Sequence, residues 1–522
     1  MRKTLAVCTT LLLSVLAGAQ PNRKPLPIRG RGHEYVSKQQ LPAPVGSPWT
    51  PLTNQPTFIT EGYGAGNPIL LTDGTVLVQD AGAQDWWKLT PDKNGSYING
   101  TWTEIASLPA GYSPLYHSSA VLPDGRLIIE GGEYNFFNAE WINLGAIYDP
   151  RANAWTSVTA PSGWTTIGDA QSAVLANGTY MQANCCTTQS ALLNPKTLKW
   201  APTGSGKFDP NDEEGWTLLP NGNVLTVDAY VPIPPFTFMP TGTNSELYNS
   251  STGTWHSAGS TGVQLWDSQN ACGSPSPSFE LGPAVLRPDG TVFATGSDSC
   301  PGAPGKTAIY NTFTGKWSAG PSFPSDLSIM DGPAALEPNG KVIMAASPDE
   351  GQPVTFLEWD GHSLSPITGT PNAPNDASFY VNMLVLPTGQ ILVTDFSDDV
   401  EIYTPTAGYS SAWAPQVDYT ASLLAPGVTY TVYGRGLNGM SQGAAYGDDV
   451  QAATNYPLVR ITMIATGHVF YCRAHDPSSM AVANPNESTT LFELPSGIEG
   501  GYGNLEVVAN GIPSYPREVF VQ

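Results

Sequence analysis

Charge is scarce in this 522-residue chain: 13% of residues are Asp, Glu, Lys or Arg, with 22 basic against 44 acidic. A formal net charge of −22 repels phosphate, which excludes nucleic acid and anionic lipid surfaces as expected partners. No long run rich in Ala, Glu, Lys and Leu occurs, which excludes a helical bundle. The apolar run around Leu11 to Leu16 falls short of the roughly 20 residues a bilayer demands, and no other stretch qualifies. Membrane insertion is therefore not expected. The six cysteines contain no Cys-x-x-Cys pair, which removes the usual basis for structural zinc. What is plentiful is 54 Gly, 48 Pro, 14 Trp, 22 Tyr and 16 Phe. Turn formers with this many aromatics rule out a disordered polymer and point to an all-β protein built from hairpins.

Residues 1–19 read as a signal peptide: Arg2 and Lys3 precede the apolar run, and Ala17-Gly18-Ala19 offers small residues for cleavage. A secreted protein, extracellular or periplasmic, is expected, and losing Arg2 and Lys3 takes its charge from −22 to −24. Residues 20–47 form an N-terminal arm. Oxidising surroundings favour disulfides. Cys272 and Cys300 flank a hairpin over Pro283 to Gly296, which should bring them together as a bridge. Cys185-Cys186 is either a vicinal disulfide or two buried thiols, and Cys472 is expected free and buried in a strand.

Repetition sets the fold. Seven apolar hairpins turn at Asp73-Gly74, Asp124-Gly125, Asn177-Gly178, Asn221-Gly222, Asp289-Gly290, Asn339-Gly340 and Thr388-Gly389. Six of these are Asp-Gly or Asn-Gly, dipeptides that suit two-residue hairpins. Their spacing, about 50 residues, is the period of kelch-type propeller blades. A strand-turn-strand unit follows the hairpins, as in Ala146 to Trp155, Ala191 to Trp200, Glu246 to Trp255 and Ala308 to Trp317. Each completes a four-stranded blade, its Trp packing between neighbours. Seven blades are expected over residues 48–408, the last closed by the segment near Pro48 to Leu52. A Pro- and aromatic-rich insertion, Val231 to Pro240, is placed as the wall of a pocket.

After Pro405 the period ends, and residues 412–522 alternate apolar and polar positions as a β-sandwich does. Gly434 to Gly439 satisfies GxGxxG and Gly439 to Gly443 satisfies GxSxG. Neither opens a helix after a parallel strand, so both read as Gly-rich loops.

Propeller symmetry brings equivalent positions together. The residue eight places before each turn is Ala65, Tyr116, Asp169, Glu213, Leu281, Asp331 or Tyr380, and these seven should ring one mouth of the central channel. Tyr63, His117, Asp212, Glu214, Glu280, Asp376 and Phe379 flank them. Carboxylates and aromatics of this kind suit sugar hydroxyls and sugar rings, and two close carboxylates can cleave a glycosidic bond. The bland alternative is a wet channel mouth with solvated acids.

Signal, blades and sandwich together resemble the galactose oxidase and glyoxal oxidase family across nearly the whole mature chain. The resemblance is strongest at Tyr116-His117-Ser118-Ser119 to Arg126 and from Tyr456-Pro457-Leu458-Val459-Arg460 to Ala474-His475-Asp476. It implies a copper ion held by two tyrosines and two histidines, one tyrosine crosslinked to a cysteine. Carried over by position, it makes Tyr116, Tyr380 and His475 metal ligands and the sandwich an immunoglobulin-like early-set domain. The cysteine position falls on Ala65, and the family's Tyr-His pair falls in Phe379-Tyr380-Val381, which holds no histidine. His117 is a substitute by position, but on a strand it should face away from Tyr116.

The expected function is therefore carbohydrate binding or processing by a monomer with an incomplete copper site. Tyr116, Tyr380, Asp169, Glu213 and Asp331 are the candidate catalytic residues, and Tyr63, Glu280 and Phe379 the substrate-binding ones. Two alternatives stand beside it: a copper-dependent oxidase of alcohols or aldehydes that releases hydrogen peroxide, and a metal-independent glycan hydrolase or lyase using the mouth carboxylates.

Overall fold

A computed structural model describes residues 46–57, 62–229, 242–267, 279–297, 302–348 and 351–522. The expected signal peptide, most of the arm, the Val231 to Pro240 wall and both members of the Cys272–Cys300 bridge lie outside these residues. Helical structure among the described residues is limited to 3-10 turns such as Ser378–Tyr380, and no helix is long and apolar enough to cross a membrane.

The first seven units are antiparallel blades of four strands, the sixth extended to a six-stranded sheet by Leu327–Ser328 and Ala444–Tyr446, and their innermost strands surround one channel. In blade one the order is Ala65–Leu70, Val76–Asp80, Trp86–Thr90 and Thr101–Glu104. The last blade takes Asn382–Val385, Ile391–Thr394 and Glu401–Tyr403 from the end of the ring. Its fourth strand, Trp49–Pro51, comes from the start of the chain, Trp49 opposite Tyr403 and Pro51 opposite Glu401. Trp49 is buried, donates its indole N–H to the Thr368 carbonyl at 2.6 Å, and packs against Phe356 and Tyr403. The ring is thus shut without a covalent link.

The inner turns differ from the two-residue hairpins that their dipeptides predict. In blade one the Leu71 N–H bonds the Thr75 carbonyl at 2.7 Å, and the Gly74 N–H bonds the Leu71 carbonyl at 3.0 Å. Three residues therefore make the loop, with Gly74 alone at positive φ, +77°. Asp73 instead accepts the Thr75 N–H on its own carboxylate at 3.0 Å, which leaves only the last loop position needing glycine. The repeated tryptophans act as expected. Trp155 and Trp200 donate their indole N–H groups to the Ala106 and Thr159 carbonyls of the preceding blades at 2.8 and 2.7 Å.

The C-terminal unit folds its strands around Val432, Val459, Ile461, Cys472, Phe492 and Leu505. Strand Val469–His475 creates that shape by changing partner. Through Cys472 it pairs with Leu458–Met463, and from Arg473 with Glu487–Glu493, so two sheets fold over one core. Cys472 is free and buried there, as expected. The Gly434 to Gly439 stretch is strand end and loop.

This unit sits against the inner-turn face of the ring. The N–H groups of Ala474, Asp476 and Met480 bond the carbonyls of Thr72, Pro123 and Ala176, each at a turn. From that face a segment enters the channel. Ala444–Tyr446 adds antiparallel to the inner strand Pro333–Leu336 of blade six, with Ala335 opposite Ala444 and Pro333 opposite Tyr446. Since the inner strands run from mouth to turn, this segment climbs toward the mouth.

Candidate functional site

The mouth is built from the positions that begin each inner strand. Three of them, Tyr116, Glu213 and Asp331, have left-handed backbones with φ of +51°, +60° and +49°. That conformation is uncommon for side-chain-bearing residues and costs on the order of 1 kcal/mol each. Its recurrence at one symmetric position marks a built feature of the ring.

Carboxylates fill one side. Glu213, Glu280 and Asp331 come from three blades, and one oxygen from each lies within 4.8 Å of the others. The channel segment adds Asp448 and Asp449, both 2% exposed. Burial, reinforced by the charges of Glu213, Asp449, Asp169 and Asp331, holds the Asp448 carboxyl well above the usual carboxylate range. Asp448 reaches this place because its neighbour is glycine: a Cβ on Gly447 would lie 2.2 Å from Asp331 Oδ1. Gly215 makes room in turn, since its own Cβ would meet the Gly447 carbonyl oxygen at 2.5 Å.

Aromatics fill the other side. Tyr116, Tyr134, Tyr380, Phe396 and Tyr446 pack as one group with Tyr63 and Phe379 at its edge. The hydroxyl of Tyr446 donates to the Phe379 carbonyl at 2.9 Å, and that of Tyr116 reaches the same oxygen at 3.4 Å. Burial and nearby carboxylates, Glu133 first for Tyr116 and Asp331 first for Tyr446, raise both phenols well above their ordinary range. Both are neutral donors. On the rim, Phe137 meets Tyr63 edge-on at 4.9 Å, and Phe136 is 43% exposed. Both phenylalanines have positive φ, +49° for Phe136 and +61° for Phe137.

Of the expected site residues, Tyr116, Tyr380, Tyr63 and Phe379 join the aromatic group, and Glu213, Glu280, Asp331 and Asp169 the acidic one. Ala65 and Leu281 offer only apolar groups. His475 does not join them. It ends the strand Val469–His475, with Nδ1 2.8 Å from Asp476 and Nε2 3.7 Å from Glu493. The next residue bonds Pro123, seven residues of extended chain from Tyr116, or roughly 20 Å. His117 lies between the strands Pro114–Leu115 and Ser118–Val121 and is engaged elsewhere, Nε2 lying 2.9 Å from Gln79 Oε1. Sequence reasoning missed Tyr446, Asp448 and Asp449, and the signal available was a run of small residues, Gly443-Ala444-Ala445 and Gly447, leading into two acids.

Copper of the implied kind does not fit this site. Cu(II) in that arrangement prefers imidazole, and the donor groups gathered here are carboxylates and neutral phenols. The crosslinking cysteine position is Ala65, and among the described histidines neither His117 nor His475 reaches the tyrosines.

A second buried cluster lies beside the mouth. Lys207 Nζ sits 2.6 Å from Asp209, 2.8 Å from Glu246, 3.0 Å from Glu214 and 3.7 Å from Asp228. Burial opposes its charge, but the four carboxylates outweigh it and hold the lysine well above its ordinary range. Glu214 adjoins Glu213, so this cluster anchors the loop that carries the acidic group. Cys185 and Cys186 are joined as a disulfide, with the Cys185 sulfur 3.8 Å from Asp212 on the same loop.

No protein-family model matches the chain. A curated relative, the Kelch-like protein terF of Aspergillus terreus, is 28% identical over 126 residues, covering 24% of this chain and 26% of its own length. The match thus spans about a quarter of that relative. Among solved structures, a fungal alcohol oxidase of the AA5 family in complex with copper aligns with a TM-score of 0.49 and 13% identity, over 91% of this chain and 99% of its own. A streptogramin B lyase aligns with a TM-score of 0.45 and 11% identity, over 68% of this chain and 96% of its own. The fold itself is a seven-bladed propeller followed by a β-sandwich.

Proposed function

We propose that the protein is an exported, monomeric carbohydrate-binding propeller that takes its ligand at the channel mouth. The observation that carries this reading is the division of the mouth into an acidic half and an aromatic half. Carboxylates accept hydrogen bonds from sugar hydroxyls, and the Tyr63–Phe137 ring pair, with exposed Phe136 next to it in the chain, suits the apolar face of a sugar ring. Hydrolysis is the weaker reading. Glu213, Glu280 and Asp331 offer oxygens within 4.8 Å of one another, which excludes the roughly 6.5–9.5 Å carboxyl spacing of inverting glycosidases and leaves only the roughly 5–5.5 Å spacing of retaining ones.

Glycan arrays and titrations with the mature protein test the reading. Binding should weaken at least tenfold in Phe136→Ala and in Asp331→Asn, without sugar release and without hydrogen peroxide. Binding unaltered in both variants would remove the ligand from this mouth. Product release in the presence of chelator would replace binding by hydrolysis or elimination.

A further inference from the structure

Cys185 and Cys186, joined as a disulfide, are neighbours in the chain. A bridge that closes so short a loop takes little entropy from the unfolded chain, so stability is a poor reason for it. What it touches is the loop that carries Glu213 to the mouth. One oxygen of Asp212 and both sulfurs lie within 4.8 Å of one another. The Asn211 N–H bonds the Thr187 carbonyl at 2.7 Å, and its side-chain amide donates to the Thr187 and Gln189 carbonyls at 2.9 and 3.0 Å. The disulfide turn is therefore the seat of the stretch from Asn211 to Glu213.

Room around the pair is unequal. Cys185 is 2% exposed. Its N–H bonds the Ile167 carbonyl at 2.9 Å, its carbonyl accepts from Thr166 Oγ1 at 3.2 Å, and a Cβ on Gly168 would lie 2.9 Å from Cys185 Cβ. Cys186 is only partly buried. A thiolate from outside meets the Cys186 sulfur first, and the sulfur it displaces, that of Cys185, faces Asp212 at 3.8 Å. Two thiols also need more room than two bonded sulfurs, because van der Waals contact replaces the bond. With Cys185 held by its backbone and against Gly168, that room must come from Cys186 and from Asp212.

We infer that Cys185–Cys186 is a site of reversible exchange with an external dithiol, and that its redox state sets the hold on the Asp212–Glu213 loop. A thiolate of the dithiol attacks Cys186 Sγ, and the electron pair of the broken bond leaves on Cys185 Sγ, which takes up a proton. The second thiolate of the dithiol then displaces the Cys186 sulfur in the same way. Two electrons and two protons pass to the protein, and the dithiol departs as a disulfide. This site goes beyond the carbohydrate reading and does not depend on it.

The test equilibrates the full mature chain with dithiothreitol at graded ratios of its reduced and oxidised forms, followed by alkylation and peptide mapping by mass spectrometry. Labels at Cys185 and Cys186 should rise and fall together as the ratio is moved in both directions, with the thermal unfolding transition retained. Amide exchange of residues 211–214 should quicken about tenfold in the reduced protein, while that of the exposed turn 151–153 should not change. The double variant Cys185→Ser with Cys186→Ser should show the faster exchange with or without dithiothreitol, so that no other cysteine accounts for the response. Asp212→Asn keeps the bond and gives a second measurement should the double variant not fold. With no carboxylate facing the departing Cys185 sulfur, its reduction should be several times faster. A disulfide that yields only when the whole protein unfolds, a reduced protein with unchanged exchange at 211–214, or a reduction rate unaltered in Asp212→Asn overturns the inference. No readout involves a sugar, so this site and the carbohydrate reading can fail separately.

Discussion

Tyr446, from the C-terminal unit, stacks on Tyr116 of blade two, with ring centroids 6.5 Å apart and planes 26° from parallel. Both phenols point at the Phe379 carbonyl, Tyr446 at 2.9 Å. The mouth is thus not a property of the ring alone. Tyr446→Phe keeps the stack and removes the shorter hydrogen bond. It should destabilise the protein by about 1 kcal/mol and weaken glycan binding two- to fivefold. Tyr446→Gly also removes the stacked ring, and its binding loss should exceed tenfold. Denaturant melts and a glycan titration on both variants measure the two effects together.

Lys207 supplies a sharper stability test. Its ammonium group is enclosed by Asp209, Glu214, Asp228 and Glu246, and burial already pushes the Glu214 and Asp228 carboxyls well up. Lys207→Met leaves these acids buried without their shared cation, a change expected to cost about 3–5 kcal/mol. Asp228→Asn removes one of the excess acids and should cost less than about 1 kcal/mol, or stabilise. Urea unfolding at pH 7 compares them, and a Lys207→Met loss below 1 kcal/mol would show that the carboxylates neutralise themselves by protonation.

The propeller was legible because each blade restates the same instruction. An apolar strand, an Asp-Gly or Asn-Gly turn and a Tyr-to-Trp unit recur in phase, and symmetry then named Tyr116, Glu213 and Asp331 from position alone. The channel segment has no such redundancy. It occurs once, just after the Gly-rich stretch that pattern reading set aside as loop, and only its pairing with Pro333–Leu336 reveals that it enters the ring. His475 failed for the complementary reason. Motif likeness assigned the inward-reaching role to the wrong sandwich segment, because sequence does not say which of two loops lies over the channel and which meets the blade turns. The turns themselves were correctly placed but given too few residues, since Asp73 is as suited to accepting the Thr75 N–H as to adopting positive φ.

His117 predicts an acid-side dependence of stability. Burial drives its imidazole down from 6.5 to about 4, where it is held neutral against Gln79. Between those values the unfolded chain takes up a proton that the folded protein refuses, so stability falls as pH drops from 6.5 toward 4 and levels off below. The full effect is on the order of 3 kcal/mol. His117→Gln should flatten this part of the profile when ΔG of unfolding is measured by urea at pH 4, 5, 6 and 7. A profile as steep as the parent's would assign the slope to other groups.

Glu401 slopes the opposite way, and the closure of the ring depends on it. It lies opposite Pro51 in the pairing that joins the two ends of the propeller, 3% exposed. Burial, then the charges of Asp399 and Asp395, push its carboxyl from 4.5 up to about 8. The folded protein therefore holds a proton that the unfolded chain has released between those values. Stability declines as pH rises from 4.5 to 8 and is constant beyond. Glu401→Gln keeps the shape and cannot ionise, so it should match the parent near pH 4.5 and exceed it by about 2–4 kcal/mol at pH 9. Because the affected strands are the closure, the parent's loss at high pH should begin there. Amide exchange of Glu401–Tyr403 should accelerate at pH 9 relative to other blades, after correction for the intrinsic rate, and Glu401→Gln should abolish the difference. Equal protection of all seven blades at both pH values would show that the ionised carboxylate is accommodated without loosening the seam.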